Sequence, residues 1–263
     1  MKKINNALVS DIVNCHNGEQ YLEECIKSII NQTYKNWELI FWDNCSSDNS
    51  KSVLDKFLDK RIKYFRSNKL LKLYEARNLA IEKSEGEYIG FLDTDDFWEK
   101  DKIDKQVKFL NKHQEYEIVF SNYYLLKEQQ KIRTIKHKLS LPSGKITQSL
   151  LDFYSIGILT TLLRKSIFKK HKFNKDYSII GDFDLFIILS QKFKIGSIQE
   201  PLASYRIHSS NYSSQNIKTH INELKSWIQE NEQSLREKNY NINQQKFFLL
   251  KLKIKSFFNI RGV

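Results

Sequence analysis

Two kinds of apolar pattern alternate along the first half of the chain. Short, mostly apolar segments of strand length lie at residues 7–13, 37–42, 62–65, 88–92 and 117–123. Between these runs, apolar residues recur at the three- and four-residue spacing of a helix, as in residues 21–30 and 102–112. This alternation predicts an α/β fold in which a largely parallel sheet is covered by helices on both faces.

The second half of the chain has a less regular pattern. Strand-like segments lie near residues 131–135, 156–163 and 194–207, and helical spacing occurs near 146–153 and 182–192. From about residue 216 the pattern becomes helical and polar. We therefore predict a domain of residues 1–215 followed by a C-terminal helical extension of residues 216–263.

Polar clusters follow three of the predicted strands, at residues 14–17, 43–48 and 93–96. Taken singly, each cluster is also compatible with a turn or a helix cap. Sheets of this class bind ligands at the carboxyl ends of their strands, so three clusters at one edge predict a site. Asp93, Asp95 and Asp96 follow an apolar strand directly. Carboxylates this close repel one another and lose hydration, which indicates a cation nearby.

Composition limits the class of protein. A hydrophobic content of 40% and an aromatic content of 13% predict a folded core. No apolar run approaches the roughly 20 residues of a membrane-spanning helix, and the N-terminal stretch of residues 1–6 has no secretory leader pattern. The cysteines, Cys15, Cys25 and Cys45, lack metal-ligand spacing, and their odd number fits a reducing compartment. We therefore expect a cytoplasmic protein.

The net charge of +12 raises the question of an anionic partner. A nucleic-acid-binding protein would interleave aromatic side chains with arginines on an exposed face, whereas the aromatics here lie mostly in core-like runs. The apolar and cationic stretch of residues 246–258 suggests an anionic membrane surface. Its lysines divide between two sides of a helical wheel, so a helix packed on the domain or on a second copy is an equal alternative.

Six ordered motifs resemble those of the family 2 glycosyltransferases. They are residues 9–18, 21–34, 38–48, 76–95 with its Asp-x-Asp, 181–185, and 205–208 with Asn211 and Ser213. The resemblance covers about residues 7–215. It implies the GT-A fold, a mixed sheet flanked by helices. It also implies a hexosyltransferase-type enzyme that moves a sugar, with inversion, from a nucleotide-sugar donor such as a UDP-sugar to a hydroxyl of a glycan or lipid-linked acceptor in surface polysaccharide or lipopolysaccharide synthesis.

The resemblance also assigns roles to individual residues. The nucleotide contacts are expected from Cys15, His16, Asn17, Asp43, Arg77, Asn78 and Asp93. The ligands of Mn²⁺ or Mg²⁺ are expected from Asp95, Asp93 and His208, and the catalytic base is Asp182. Such a cation resolves the repulsion among the acids, because it binds both carboxylates and a diphosphate. The alternatives are a surface ion pair for Arg77 and a helix N-cap for Asp182. Asp96 either supports the other acids or caps the next helix.

The sequence departs from the family pattern at four places. Residues 14–17 stand where the family usually has Pro-x-Tyr-Asn, and Asn44-Cys45 replaces an Asp-Gly turn. Asp11 interrupts an apolar strand, and Gly181 replaces the Glu before the base. The altered loops keep open a catalytically inactive scaffold as an alternative to the enzyme. The retained acids, Asp182 among them, favour the enzyme.

Overall fold

Strands and helices follow the predicted order in the computed structural model, which describes residues 6–209 and 211–261 but not the side chains of 259–261. The strands are β1 (Val9–Cys15), β2 (Trp37–Asp43), β3 (Ile62–Arg66), β4 (Tyr88–Asp93), β5 (Phe97–Trp98), β6 (Tyr116–Lys127), β7 (Ile132–Ile135), β8 (Thr161–Arg164) and β9 (Lys194–Ile207). The helices are α1 (Leu22–Ile30), α2 (Ser50–Leu54), α3 (Leu73–Lys83), α4 (Lys102–Lys112), α5 (Thr147–Asp152), α6 (Gly181–Ser190), α7 (Tyr212–Gln215), α8 (Ile217–Glu237) and α9 (Asn243–Arg261). Residues 1–5 of the stretch examined for a leader lie outside the described residues.

A single mixed sheet contains these strands in the order β3-β2-β1-β4-β8-β6-β9-β5, with β7 beside β6. The first four of these run parallel to one another, and α1, α2 and α3 supply the crossover connections that parallel neighbours need. β8 is antiparallel to both β4 and β6, and β5 is antiparallel to β9. The predicted mixed α/β fold is confirmed. Parallel pairing joins β3, β2, β1 and β4 and also joins β6 to β9, and the other neighbouring strands are antiparallel.

Helices cover both faces of the sheet and create two apolar cores. Alternate residues of β1 divide between them, with Ile12 facing α3, α6, α8 and α9 and with Val9 and Val13 facing α1 and α4. Trp227 of α8 and Leu249 of α9 belong to the first core, so residues after the predicted boundary share a core with residues before it. Within residues 6–209 and 211–261, no helix has both the length and the apolar character needed to cross a membrane.

Asp11 is buried in the core between the sheet and α4. Neither of its carboxyl oxygens has a hydrogen-bond partner among the described residues, and burial raises the pKa of Asp11 well above its usual value. Lys102 is also buried, with Nζ 2.8 Å from Gln106 Oε1 and 3.9 Å from the centre of the Trp98 ring. Burial lowers the pKa of Lys102 to about 7, and the charge of Asp11 partly opposes this shift. The strand therefore tolerates Asp11 through a buried lysine nearby.

Gly86 lies where the chain enters β4 against β1. A Cβ atom on Gly86 would lie 2.7 Å from both the Leu8 carbonyl oxygen and the Ser10 backbone nitrogen. These backbone atoms cannot move without disturbing the strand pairing, so we expect Gly86→Ala to lower the free energy of unfolding by about 1–3 kcal/mol. Chemical denaturation measures this change.

Gly157→Ala is the matched control. A Cβ atom there would meet Leu159 Cδ2 at 3.0 Å, and this is the end of a flexible side chain that can turn away. Equal denaturation midpoints for the two variants would contradict the proposed role of the close backbone approach at Gly86.

Candidate functional site

The carboxyl ends of β1, β2 and β4 lie side by side, as the polar clusters predict. Cys15 at the end of β1 pairs with Asp43 at the end of β2, and Asn14 pairs with Asp93 at the end of β4. The chain leaving β9 returns to this edge with His208. Residues far apart in sequence therefore meet at one place, where the sheet ends.

Asp95 and His208 form the central pair of this edge. His208 Nε2 lies 2.9 Å from Asp95 Oδ2, and Asn211 Nδ2 lies 3.5 Å from the same oxygen. Burial and the neighbouring charge of Asp93 raise the pKa of Asp95, while the hydrogen bond from His208 opposes this shift. Two of the three residues predicted to bind a cation, Asp95 and His208, are thus in direct contact.

Arg77 connects the acid cluster to the predicted base. Its guanidinium, only 3% exposed, donates from Nη2 to Asp93 Oδ1 at 2.5 Å. The same positive charge lowers the pKa of Asp182, although burial has the larger and opposite effect on that carboxyl. The ion pair considered for Arg77 is therefore present, but the arginine is buried rather than at the surface.

Asp182 is the second residue of α6, so it lies in the first helical turn and not at the N-cap position, which is Ile180. Its Oδ1 accepts a hydrogen bond from the Phe183 backbone N–H at 2.8 Å and lies 3.2 Å from the Tyr74 hydroxyl. Its Oδ2 has no hydrogen-bond partner among residues 6–209 and 211–261. One oxygen is held by the protein, and the other is available to a substrate.

The residues at this edge fit a cation that binds together with a diphosphate. Asp95 offers an oxygen ligand and His208 a nitrogen ligand, whereas one oxygen of Asp93 already accepts from Arg77. In the part of the chain that the structure describes, no group of three or more His, Cys, Asp or Glu side chains is arranged to hold a metal. Mg²⁺ commonly takes one or two carboxylates and completes its shell with substrate phosphates and water.

Asp96 and Arg206 join the acid cluster to the end of β9. Asp96 Oδ1 accepts a hydrogen bond from the Arg206 backbone N–H at 2.8 Å, and Arg206 Nε donates to the Asp95 carbonyl oxygen at 2.8 Å. The guanidinium also pairs with Glu24 and lies 3.6 Å from Glu128. Asp96 therefore supports its neighbours instead of capping the next helix, which begins at Lys102.

The loop after β1 is tied to the loop after β2. His16 is exposed, and its Nδ1 lies 3.0 Å from the Asn44 carbonyl oxygen. Asn17 adopts a left-handed φ of 53° and accepts a hydrogen bond from the Ser47 backbone N–H at 2.8 Å. Cys15 is buried below them, and burial raises the pKa of its thiol. The structure leaves the His16 ring accessible to a planar base.

Two predicted nucleotide contacts have their polar atoms bound within the protein. Asp43 is 1% exposed and accepts from the Ser46 backbone N–H and the Tyr64 hydroxyl, each at 2.7 Å. Asn78 exchanges both hydrogen bonds of its amide with the backbone of Phe173, at 2.9 and 3.0 Å. This geometry favours structural roles for Asp43 and Asn78, and their contact with a nucleotide stays a prediction.

The sequence assigns no role to two residues of the edge, Tyr21 and Asn14. The Tyr21 ring lies 4.7 Å from the Arg206 guanidinium and 5.1 Å from the His208 ring. Asn14 is buried, and its Nδ2 has no hydrogen-bond partner among the described residues, which is expected of a donor that faces a ligand. A buried amide at a strand end is a usable signal, whereas the position of Tyr21 depends on how α1 packs against β9.

Comparison with known proteins gives an independent assignment. The family model described as glycosyl transferase family 2 matches residues 10–176. The Escherichia coli UDP-Glc:alpha-D-GlcNAc-diphosphoundecaprenol beta-1,3-glucosyltransferase WfaP is 31% identical over 212 residues, 80% of this chain and 82% of that protein. An uncharacterized glycosyltransferase of Rickettsia conorii is 33% identical over 207 residues, and the match covers 78% of this chain but 33% of that longer protein.

Solved structures agree on the fold. S. aureus TarS 1-349 in complex with UDP-GlcNAc has a TM-score of 0.68 at 17% identity, over 84% of this chain and 66% of that chain. The mannosyltransferase PcManGT from Pyrobaculum calidifontis, in complex with GDP-Man and Mn²⁺, has a TM-score of 0.62 at 15% identity, over 85% of this chain and 64% of that chain. With the family model matching more than half of the residues, the chain belongs to glycosyltransferase family 2 and is a glycosyltransferase with the GT-A fold.

Proposed function

We propose that the enzyme is a metal-dependent, inverting transferase that moves a sugar from a UDP-sugar to a hydroxyl of a lipid-linked glycan in the synthesis of a surface polysaccharide or lipopolysaccharide. The observation that carries this proposal is the meeting of the Asp95–His208 pair, the Asp93–Arg77 pair and Asp182 at one edge of the sheet. This arrangement separates a place for a cation and diphosphate from a base that keeps one oxygen open.

The donor occupies the side of Asp93 and Asp95. Asp95 and His208 would hold Mn²⁺ or Mg²⁺, which would supply positive charge to offset that of the leaving diphosphate. Asp93, oriented by Arg77, is placed to accept a hydrogen bond from a ribose hydroxyl, and the exposed ring of His16 is placed to stack on the base. By its name WfaP uses UDP-Glc, and the TarS structure contains UDP-GlcNAc, which favours uridine as the nucleoside.

Asp182 is the base that activates the acceptor hydroxyl in this proposal. Its Oδ2 takes the proton of the acceptor hydroxyl while the hydroxyl oxygen bonds to the sugar C1 and the nucleoside diphosphate leaves with the electrons of the broken C1–O bond. Attack from the side opposite the leaving group inverts the configuration at C1, so one carboxylate suffices. The charge of Arg77 favours the ionised form of Asp182 against the effect of burial.

Helix α9 supports the proposal of a lipid-linked acceptor, because it has an exposed apolar face in addition to the apolar face that packs on the protein. Its buried residues are Gln245, Leu249, Leu252 and Ser256. Its exposed apolar residues are Phe247, Phe248, Leu250, Ile254, Phe257 and Phe258. At about 100° per residue, all of these except Phe248 form a stripe on the side of the helix opposite the buried residues. The inward face packs on the protein, as one of the two alternatives predicted, and the outward face is exposed.

The charge around the outward face of α9 favours an anionic bilayer as its partner. Lys253 lies on one border of the exposed apolar stripe and Lys251 and Lys255 lie on the other, and all three are exposed. Apolar side chains between cationic borders match the boundary between acyl chains and anionic headgroups. The name of WfaP specifies a diphosphoundecaprenol acceptor, which resides in a membrane. We therefore propose a cytoplasmic enzyme that acts at the inner membrane face.

We expect Asp95→Asn to abolish the manganese-dependent part of nucleotide binding. Calorimetry with UDP, GDP and dTDP, each with and without Mn²⁺, measures the manganese-dependent affinity and identifies the preferred nucleobase. Because the pKa of Asp95 is raised, protons compete with the cation at a higher pH than at an ordinary aspartate, so manganese-dependent binding weakens early as the pH falls. Asp55→Asn, at an exposed surface ion pair, is the control. Wild-type protein that binds UDP equally without Mn²⁺ would contradict the metal assignment.

We expect Asp182→Asn to lower kcat by about 10²- to 10⁴-fold while the affinity for UDP and Mn²⁺ stays unchanged, because only the proton acceptor is lost. The assay uses UDP-sugars with a lipid-linked GlcNAc diphosphate, and NMR gives the configuration of the product. Burial raises the pKa of Asp182. As the pH decreases, kcat should therefore begin to fall at a pH above about 3.9, which is the ordinary pKa of an aspartate. Asp176→Asn, at an exposed position nearby, is the control, and full activity of Asp182→Asn would overturn the assignment.

We expect the wild-type chain to co-sediment with vesicles that contain phosphatidylglycerol, and Phe247→Ser combined with Phe258→Ser to prevent this. Lys253→Glu with Lys255→Glu should weaken binding, as should salt. Leu58→Ser with Leu139→Ser removes exposed apolar side chains elsewhere and serves as the control. No binding by the wild-type chain would exclude the bilayer, and a dimer that the phenylalanine variants dissociate would assign the face to a second copy.

A further inference from the structure

The segment that leads into α6 is held by a single carboxylate. The backbone N–H groups of Ser178, Ile179 and Ile180 all donate to Glu223, at 2.7, 2.9 and 3.2 Å. These residues belong to no strand, so no neighbouring backbone satisfies them in a regular ladder. Hydrogen bonds to a charged acceptor are stronger than neutral ones, and three successive donors fix the course of the backbone. Asp182 follows two residues later.

Helix α8 also holds the residues that follow Asp182. Trp227, one turn after Glu223, donates from Nε1 to Asp184 Oδ1 at 2.9 Å. Its ring lies 4.7 Å from the ring of Phe183 in an edge-on arrangement. Helix α8 therefore contacts the chain on both sides of Asp182, at residues 178–180 and at Phe183 and Asp184.

A second contact reaches Asp182 from α3 on the donor side. The Tyr74 hydroxyl lies 2.8 Å from the Ile179 carbonyl oxygen and 3.2 Å from Asp182 Oδ1. A Cβ atom on Gly181 would lie 2.5 Å from the Tyr74 ring. Only a residue without a side chain allows this approach, so the departure at Gly181 and the presence of Tyr74 are parts of one local arrangement.

We propose that Glu223 on α8 and Tyr74 on α3 are positioning residues that fix the catalytic carboxylate of Asp182 from two sides, so that helix α8 of the C-terminal extension contributes to the placement of the base. The inference rests on the proposed role of Asp182 as the base. Glu223 acts through the backbone of residues 178–180 and touches neither substrate. Tyr74 acts on the carboxylate itself, through the oxygen that does not face the acceptor.

The principal experiment compares Glu223→Gln with Glu230→Gln. Both changes remove one negative charge from α8, but Glu230 is exposed and the residue has no hydrogen bond to residues 178–180. A glutamine at position 223 turns an NH₂ group toward one of the three amides and releases that part of the segment. We expect kcat to fall by about 10- to 100-fold, since a displacement near 1 Å has an effect of this size, while the affinity for UDP and Mn²⁺ stays unchanged.

Tyr74→Phe keeps the ring against Gly181 and removes only the hydroxyl. The hydroxyl lowers the pKa of Asp182, so its loss raises that pKa and moves the acidic limb of the pH–kcat profile to higher pH. A purely structural role would change the melting temperature without moving this limb. Should Glu223→Gln not fold, Tyr74→Phe alone decides the inference through this pH profile.

The outcomes separate the inference from the proposed function. An active wild-type enzyme, an inactive Asp182→Asn and a Glu223→Gln variant within about twofold of Glu230→Gln would overturn the inference alone. A parallel loss of kcat and nucleotide affinity in Glu223→Gln would also overturn it, because that pattern indicates general destabilisation. An inactive wild-type enzyme or an active Asp182→Asn would instead overturn the assignment of the base, and the inference with it.

Discussion

The buried guanidinium of Arg77 is the constraint on which the site depends. A cation out of contact with water is unfavourable unless an anion meets it closely, and Asp93 does so at 2.5 Å. The same charge acts on Asp182, so α3 connects the end of β4 with the beginning of α6. Donor and acceptor chemistry need two carboxylates with different tasks. The guanidinium of Arg77 pairs with Asp93 and also lowers the pKa of Asp182, although burial has the larger and opposite effect on Asp182.

The fold could be predicted from the sequence where a segment has one clear hydrophobic period. It could not be predicted where pairing with distant strands determines the structure. β1, β2 and β4 appear in the apolar pattern because these strands are buried on both faces, whereas β3 at the edge of the sheet is only partly buried. β5 has two residues and no period to detect, and the direction of β8 follows from its neighbours β4 and β6. The predicted strand near 156–163 begins later, because a short 3₁₀ segment occupies Ile158–Thr160.

The candidate site was predictable where its residues form a combination that is energetically unfavourable unless a compensating charge is present. Three acids after a buried strand require a cation, and this reasoning locates Asp93 and Asp95 without any structure. Glu223 has no such local signal, because its partners lie 43 to 45 residues earlier in the chain. The role of helix α9 is difficult to predict from the sequence for a different reason. Its apolar residues form two faces, so no single amphipathic side stands out in the sequence.

Two of the four departures from the family pattern, at Cys45 and at Gly181, are matched by a contact that only the folded chain reveals. Cys45 adopts a left-handed φ of 63° where a glycine is usual, and the surrounding loop is held by Asp43, which accepts from the Ser46 backbone N–H. Gly181 lacks the side chain expected before the proposed base, Asp182, and Tyr74 occupies the space next to it. In both cases the substitution moves a structural task to another residue and leaves the acids in place. Divergence at a motif position is therefore weak evidence for an inactive scaffold when the compensating residue can be identified in the same fold.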